Sequence, residues 1–156
     1  YQAYFDEHKI GFRPHIKTHK TLAIAHMQMK RGALGLTCQK IGEAEVMASG
    51  GITDDLLIPY NIIGQQKLDR LTALAKQANI TVAADSAFTV KGLSDAASAA
   101  GVTIGVIVEM DTGGGRAGTV SPQATVDLAK VIDDSPGIEL RGFMSLPANG
   151  LSKSLV

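Results

Sequence analysis

Short apolar runs recur along the chain at "GFRPH" (11–15), "ALGLT" (33–37), "DLLIP" (55–59), "ITVAA" (80–84), "TIGVIVEM" (103–110) and "IELRGFMS" (138–145). Most are continuous rather than alternating, the pattern of strands covered on both faces. The stretches between them, 21–32, 40–51, 64–79, 85–101 and 121–137, repeat their apolar residues at helical spacing. Gly or Asn closes several of these stretches, where a helix stop is expected. Ser121 followed by Pro122 makes a cap and first-turn pair. Residues 1–10 also look helical, with no strand run before them.

The strand runs begin at 11, 33, 55, 80, 103 and 138, intervals of 22 to 25 residues that widen to 35 before the last. Strand and helix therefore alternate, and the fold class is α/β with a mainly parallel sheet and right-handed crossovers. Two closures satisfy that order, an open doubly wound sheet or a (β/α)8 barrel. A barrel needs eight units and typically about 250 residues. A chain of 156 residues is then either a small open sheet or part of a barrel lacking both ends.

Composition narrows the function. The chain is 45% hydrophobic, enough for one domain with a real core. Lys plus Arg and Asp plus Glu are 15 each, so no global field points to nucleic acid or a membrane surface. No apolar run approaches the roughly 20 residues that span a bilayer. The opening "YQAYFDEHKI" is too charged for a signal peptide. A cytoplasmic, soluble enzyme-like domain is expected. The lone Cys38 allows no internal disulfide and offers no zinc spacing.

Against that neutral background, "GFRPHIKTHKT" (11–21) concentrates Arg13, His15, Lys17, His19 and Lys20. In a parallel α/β sheet, chemistry gathers at the C-terminal ends of the strands. Along an extended segment, residues 13, 15 and 17 share one side and 14 and 16 the other. Arg13, His15 and Lys17 would then project into one space and require an anionic partner, because unpaired buried charge is costly. A phosphorylated, phenolate-bearing cofactor would supply one. The plainer reading is a solvated basic turn. Metal binding by the two histidines lacks a nearby acidic or cysteine ligand. Thr37 ends one strand run, Tyr60 and Asp85 with Ser86 follow two others, and all could line the same pocket. Thr37 and Ser86 are also good helix caps, and Asp85 can serve backbone amides. Glu43 and Glu45 read as solvated helix residues, with Glu43 also a candidate cap, and Cys38 as packed.

The segment "RPHIKTHKT" resembles the cofactor-lysine motif of fold-type III pyridoxal-phosphate enzymes related to D-threonine aldolase and D-serine dehydratase, which share the alanine racemase N-terminal barrel. The resemblance continues through "GALGLTCQKIGEAEVMASGGITDDLLIPYNIIG" and "VEMDTGGGRAG" and covers about residues 8–145. It implies a partial (β/α)8 TIM barrel, with the first strand, the later strands and a C-terminal β-domain absent. It implies that Lys17 rather than Lys20 carries pyridoxal 5'-phosphate as a Schiff base, with His15 facing the ring and Arg116 approaching the cofactor phenolate or a substrate carboxylate. By the same resemblance the divalent-metal ligands lie in the absent domain of the full-length parent, which is a homodimer.

The implied activity is a pyridoxal-phosphate-dependent lyase on D-amino acids, by retro-aldol cleavage or D-serine dehydration. Alternatives are racemisation and a non-catalytic pyridoxal-phosphate carrier. Near the end of "LRGFMSLPANG", where the family often has an aromatic residue, this chain has Leu146 and Pro147. "LSKSLV" resembles nothing in the family.

Overall fold

A computed structural model describes residues 1–147. Its elements run α1 (Gln2–Glu7), α2 (Leu22–Lys30), β1 (Leu36–Thr37), α3 (Ile41–Ser49), β2 (Leu56–Ile58), α4 (Gln65–Ala75), β3 (Ile80–Ala84), α5 (Ala87–Ala100), β4 (Ile104–Glu109), α6 (Pro122–Asp133) and β5 (Ile138–Met144). The segment "LSKSLV" lies outside the described residues.

The five strands pair in parallel in chain order, β1 to β5. That order decides between the two closures. A doubly wound sheet reverses direction at a switch point, whereas here every crossover steps the same way, as in a barrel wall. The described residues thus form an arc of a (β/α) barrel.

The two faces of the arc differ in chemistry. Leu56, Ile58, Ile80, Val82, Ala84, Ile104, Val106 and Val108 are at most 1% exposed and belong to the main core, packed on the helices. Full burial of a Val, Leu or Ile side chain contributes about 1.5–3 kcal/mol. Between these positions lie Leu57, Thr81, Ala83, Gly105 and Ile107, with Glu109 next after Val108, and their side chains alternate to the barrel interior. Helices α4 and α6 close the outer layer through Leu68, Leu71 and Leu74, and through Leu128 and Ile132. Two caps form as their residue types predict: Ser121 Oγ accepts the Ala124 N–H at 3.2 Å and Ser86 Oγ accepts the Thr89 N–H at 3.4 Å. Helix α5 ends at Gly101 in the left-handed region, φ 64°, which a side chain would resist.

The run "GFRPH" does not become a strand. It lies beside β1 with one bridge, His15 to Thr37. Its backbone bonds are Leu34 N–H to Phe12 O, Thr37 N–H to Pro14 O and Ile16 N–H to Thr37 O, each 2.9 Å. Pro14 lacks an N–H, and the turn closed by Lys20 N–H to Ile16 O begins at once. Pro14 and Ile16 are buried on the helix side, as their parity requires.

Candidate active site at the C-terminal ends of the strands

At the C-terminal ends of the strands, the interior face holds a cavity of about 180 Å³ lined by His15, Lys17, Thr37, Tyr60, Glu109 and Arg116, with apolar side chains such as Leu57 and Met144 around them. Larger hollows of about 430 and 630 Å³ lie by the start of α3 and at the opposite end of the sheet. Their arginines, Arg70, Arg13 and Arg141, are each paired with a carboxylate.

Arg13 departs from its expected place. It shares the interior face with His15 and Lys17 but sits at the N-terminal end of the strands, 2.5 Å from Asp55. Residues 13 and 17 are four apart, roughly 13 Å along extended chain, so a shared side does not mean a shared space. The turn separates the two lysines as well. Lys20 adopts φ 51° and turns to Glu43 at 3.2 Å, while Lys17 faces the cavity. His15 Nδ1 accepts the Lys17 backbone N–H at 3.3 Å. Burial, and then the neighbouring Lys17, lower the His15 pKa, outweighing Glu43, Gln39 and Thr37. Its ring is therefore held toward the neutral form, with the hydrogen on Nε2. His19 Nδ1 accepts from Thr21 N–H at 3.2 Å, and its Nε2 is buried without a partner.

Arg116 reaches the cavity from the loop after β4. Its Nη2 donates to Tyr60 Oη, and its guanidinium carbon lies 5.6 Å from the centre of the Tyr60 ring. Thr37 ends β1 and is 8% exposed. It does not cap α3; Glu43 Oε2 takes the free Gln39 N–H there at 2.7 Å. Glu43 is buried, 7% exposed, not solvated as the helix pattern suggests. Glu45 does face solvent, paired with Arg70. Asp85 is not among the cavity-lining residues. Its Oδ2 accepts the Gly118 N–H at 3.1 Å, and its own N–H donates to Asn61. Cys38 is fully buried, and burial pushes its thiol up to about 12.

Glu109 escaped the sequence reading. It is 8% exposed and lines the cavity. Burial, then Asp85, raise its pKa against the opposing Arg116, with Asp111 adding to the rise. A signal was available, since Glu109 is the one charged residue in "TIGVIVEM" and stands at the C-terminal end of a fully buried strand. Asp111 accepts from the amides of Gly113, Gly114 and Gly115, so those amides form no open phosphate cradle. Among the described residues, no three His, Cys, Asp or Glu side chains stand together as a metal site. Nor is any helix long and apolar enough to cross a membrane.

Comparison with known proteins agrees with this architecture. The chain is 38% identical over 144 residues to a D-threonine aldolase from Arthrobacter sp, covering 92% of the chain and 38% of that protein. It is 35% identical to the 3-hydroxy-D-aspartate aldolase of Paracoccus denitrificans, covering 91% and 37%. The crystal structure of D-threonine aldolase from Filomicrobium marinum superposes with TM-score 0.88 at 39% identity, over 91% of this chain and 38% of that one. The chain thus spans well under half the length of these relatives. Residues 4–154 match the model of the alanine racemase N-terminal domain, and the chain belongs to that family.

Proposed function

We propose that this chain forms the lysine-bearing part of a pyridoxal-phosphate-dependent lyase that acts on D-3-hydroxy amino acids. The observation that carries the reading is the meeting of Lys17 and Arg116, 99 residues apart in sequence (116 minus 17), in one cavity at the C-terminal strand ends. The donor set suits the cofactor. An aldehyde carbon needs a primary amine, and Lys17 presents one. An anionic ring oxygen or a carboxylate needs a fork of N–H donors, and Arg116 presents that. The names of the relatives support a D-amino acid substrate.

When bound, pyridoxal phosphate supplies an electron sink beside the amino carbon of the substrate. The chain's own residues prepare its place. Lys17 would hold the cofactor through its aldehyde carbon, and the His15 ring fixes the turn by accepting the Lys17 N–H. Thr37 walls the cavity at the end of β1. Tyr60 holds Arg116 from below, and Asp85 acts through the loop it clamps. Glu109 holds a proton more firmly than an ordinary carboxyl and faces the same space. No step is assigned to a metal. For the whole protein the reading carries a small-molecule substrate and a homodimer, with cleavage to glycine and an aldehyde as the leading reaction over dehydration.

The test is an absorption spectrum of the chain with pyridoxal phosphate, then borohydride reduction and peptide mapping. A red-shifted band and a pyridoxyl mass confined to Lys17 are expected. Label spread over surface lysines in this chain and in a longer one would sink the reading.

A further inference from the structure

Arg116 is carried by "DTGGGRAG" (111–118), a segment with four glycines in eight residues. Gly113, Gly115 and Gly118 take φ of 108°, 60° and 109°. Glycine-rich chain loses the most conformational freedom on ordering, so an arginine placed there would ordinarily sample many directions. Two carboxylates oppose that freedom. Asp111 Oδ1 accepts the N–H groups of Gly113 and Gly114 at 2.9 and 2.6 Å, and Oδ2 accepts that of Gly115 at 2.9 Å. Beyond Arg116, the Gly118 N–H donates to Asp85 Oδ2 at 3.1 Å. Asp85 comes from the end of the neighbouring strand β3, so this second tie fastens the loop to the barrel wall.

The base of the loop is closed by Thr119 N–H to Glu109 O at 2.8 Å and Asp111 N–H to Thr119 O at 3.0 Å. There a Cβ on Gly118 would lie 2.4 Å from the Asp111 nitrogen. The backbone on both sides of Arg116 is therefore held by a carboxylate, and the side chain between them reaches Tyr60 and the cavity. Bonds from amides to an ionised carboxylate are roughly twice as strong as neutral ones.

We propose that Asp111, with Asp85 as its second anchor, is the positioning residue that aims Arg116 into the cavity. Neither carboxylate lines the cavity; both act through the backbone that Arg116 hangs from. The inference rests on the reading of Arg116 as the anion-binding group of the site. It adds a residue to that site and assigns Asp85 a way of serving it without contact.

The experiment uses the full chain and the variants Asp111→Ala, Asp111→Asn, Arg116→Ala and Asp111→Ala with Arg116→Ala. Two readouts are followed: hydrogen exchange at the Gly113–Gly115 amides and at the Arg116 Nη2–H groups that meet Tyr60, and pyridoxal phosphate affinity by spectral titration. In Asp111→Ala the exchange protection is lost, including that of Arg116, and affinity falls about tenfold, the scale of removing bonds to a charged acceptor. Asp111→Asn keeps the Oδ1 acceptor and gives an intermediate loss. The double variant binds no more weakly than Arg116→Ala alone, because Asp111 has no role once the arginine is gone. Additive losses, or unchanged Arg116 Nη2–H exchange in Asp111→Ala, overturn the proposal. If the unaltered chain shows no pyridoxyl on Lys17, it is the cofactor reading that has failed, and the Arg116 exchange still decides the positioning role. Should Asp111→Ala lose its circular dichroism, Asp111→Asn carries the same comparison.

Discussion

The two ends of the barrel interior are both rich in charge, and they handle it differently. At the N-terminal end of the strands, Arg13 donates to the Asp55 carboxylate at 2.5 Å and to its backbone oxygen at 3.3 Å. Arg141 donates to Asn79 at 2.5 Å, Thr81 at 3.0 Å and Glu139 at 3.2 Å. The backbone makes room for both. A Cβ on Gly35 would lie 2.3 Å from Asp55 O, and one on Gly105 would lie 2.4 Å from Arg141 Nε. At the C-terminal end, no ion pair involves Lys17 or Arg116 among the described residues, and the one carboxyl facing them, Glu109, has a raised pKa. Charge matched within the protein is structural. Cationic groups left unmatched around a cavity leave room for an anionic ligand.

The largest effect expected from breaking this contrast is at Lys17. Lys17→Ala abolishes the borohydride-fixed label, while Lys20→Ala, on the far side of the turn, leaves it in place; peptide mapping of the two variants decides it. Next comes the crowding at the other end. Gly35→Ala drives a methyl into the Asp55 backbone oxygen and costs about 2 kcal/mol, read by urea denaturation, with no redistribution of label in the fraction that stays folded. Asp55→Ala leaves the partly exposed Arg13 without its anion and destabilises by about 1–2 kcal/mol. Arg116→Ala at the cavity changes stability by less than about 0.5 kcal/mol while weakening pyridoxal phosphate binding. Equal stability losses for these two variants would erase the distinction between the ends.

The smallest effect is in the pH dependence. His15, lowered below its ordinary 6.5 by burial and Lys17, takes up a proton more readily in the unfolded chain. Its contribution to stability is present above pH 6.5 and is lost as pH falls through its lower folded value. Glu109 runs the other way. Its pKa is raised from 4.5, so its contribution is complete below pH 4.5 and is lost as pH rises through the folded value. Urea midpoints measured across pH should therefore flatten on the acid side in His15→Gln and improve at neutral pH in Glu109→Gln. A wild-type slope in either variant would remove that group from the account.

Local pattern foretold much of the strand and helix order. The run "ITVAA" is β3 residue for residue, and Ser121 with Pro122 opens α6, because a continuous apolar run and a helix cap are both set within a few residues. "GFRPH" misled because apolar content outweighed the missing N–H of Pro14, a defect that matters only once β1 seeks partners. The same short range limits the site. Parity along 13, 15 and 17 gave the right side of the chain but not the right depth, which Asp55 settled from 42 residues away.

What the sequence by itself determined is the inventory and its order: four βα repeats closed by a fifth strand, a basic turn ahead of a helix, and a glycine loop holding one arginine. These depend on residue type and spacing within a turn or two of chain. Only the tertiary structure decided that Glu43 is buried and Glu45 is not, that Glu109 faces the cavity, and that Tyr60 meets Arg116 across 56 residues. Burial and charge pairing are properties of the space between elements. That space exists only after the strands have lined up in order and curved, which brings their C-terminal ends, and the loops that follow them, around a common hollow.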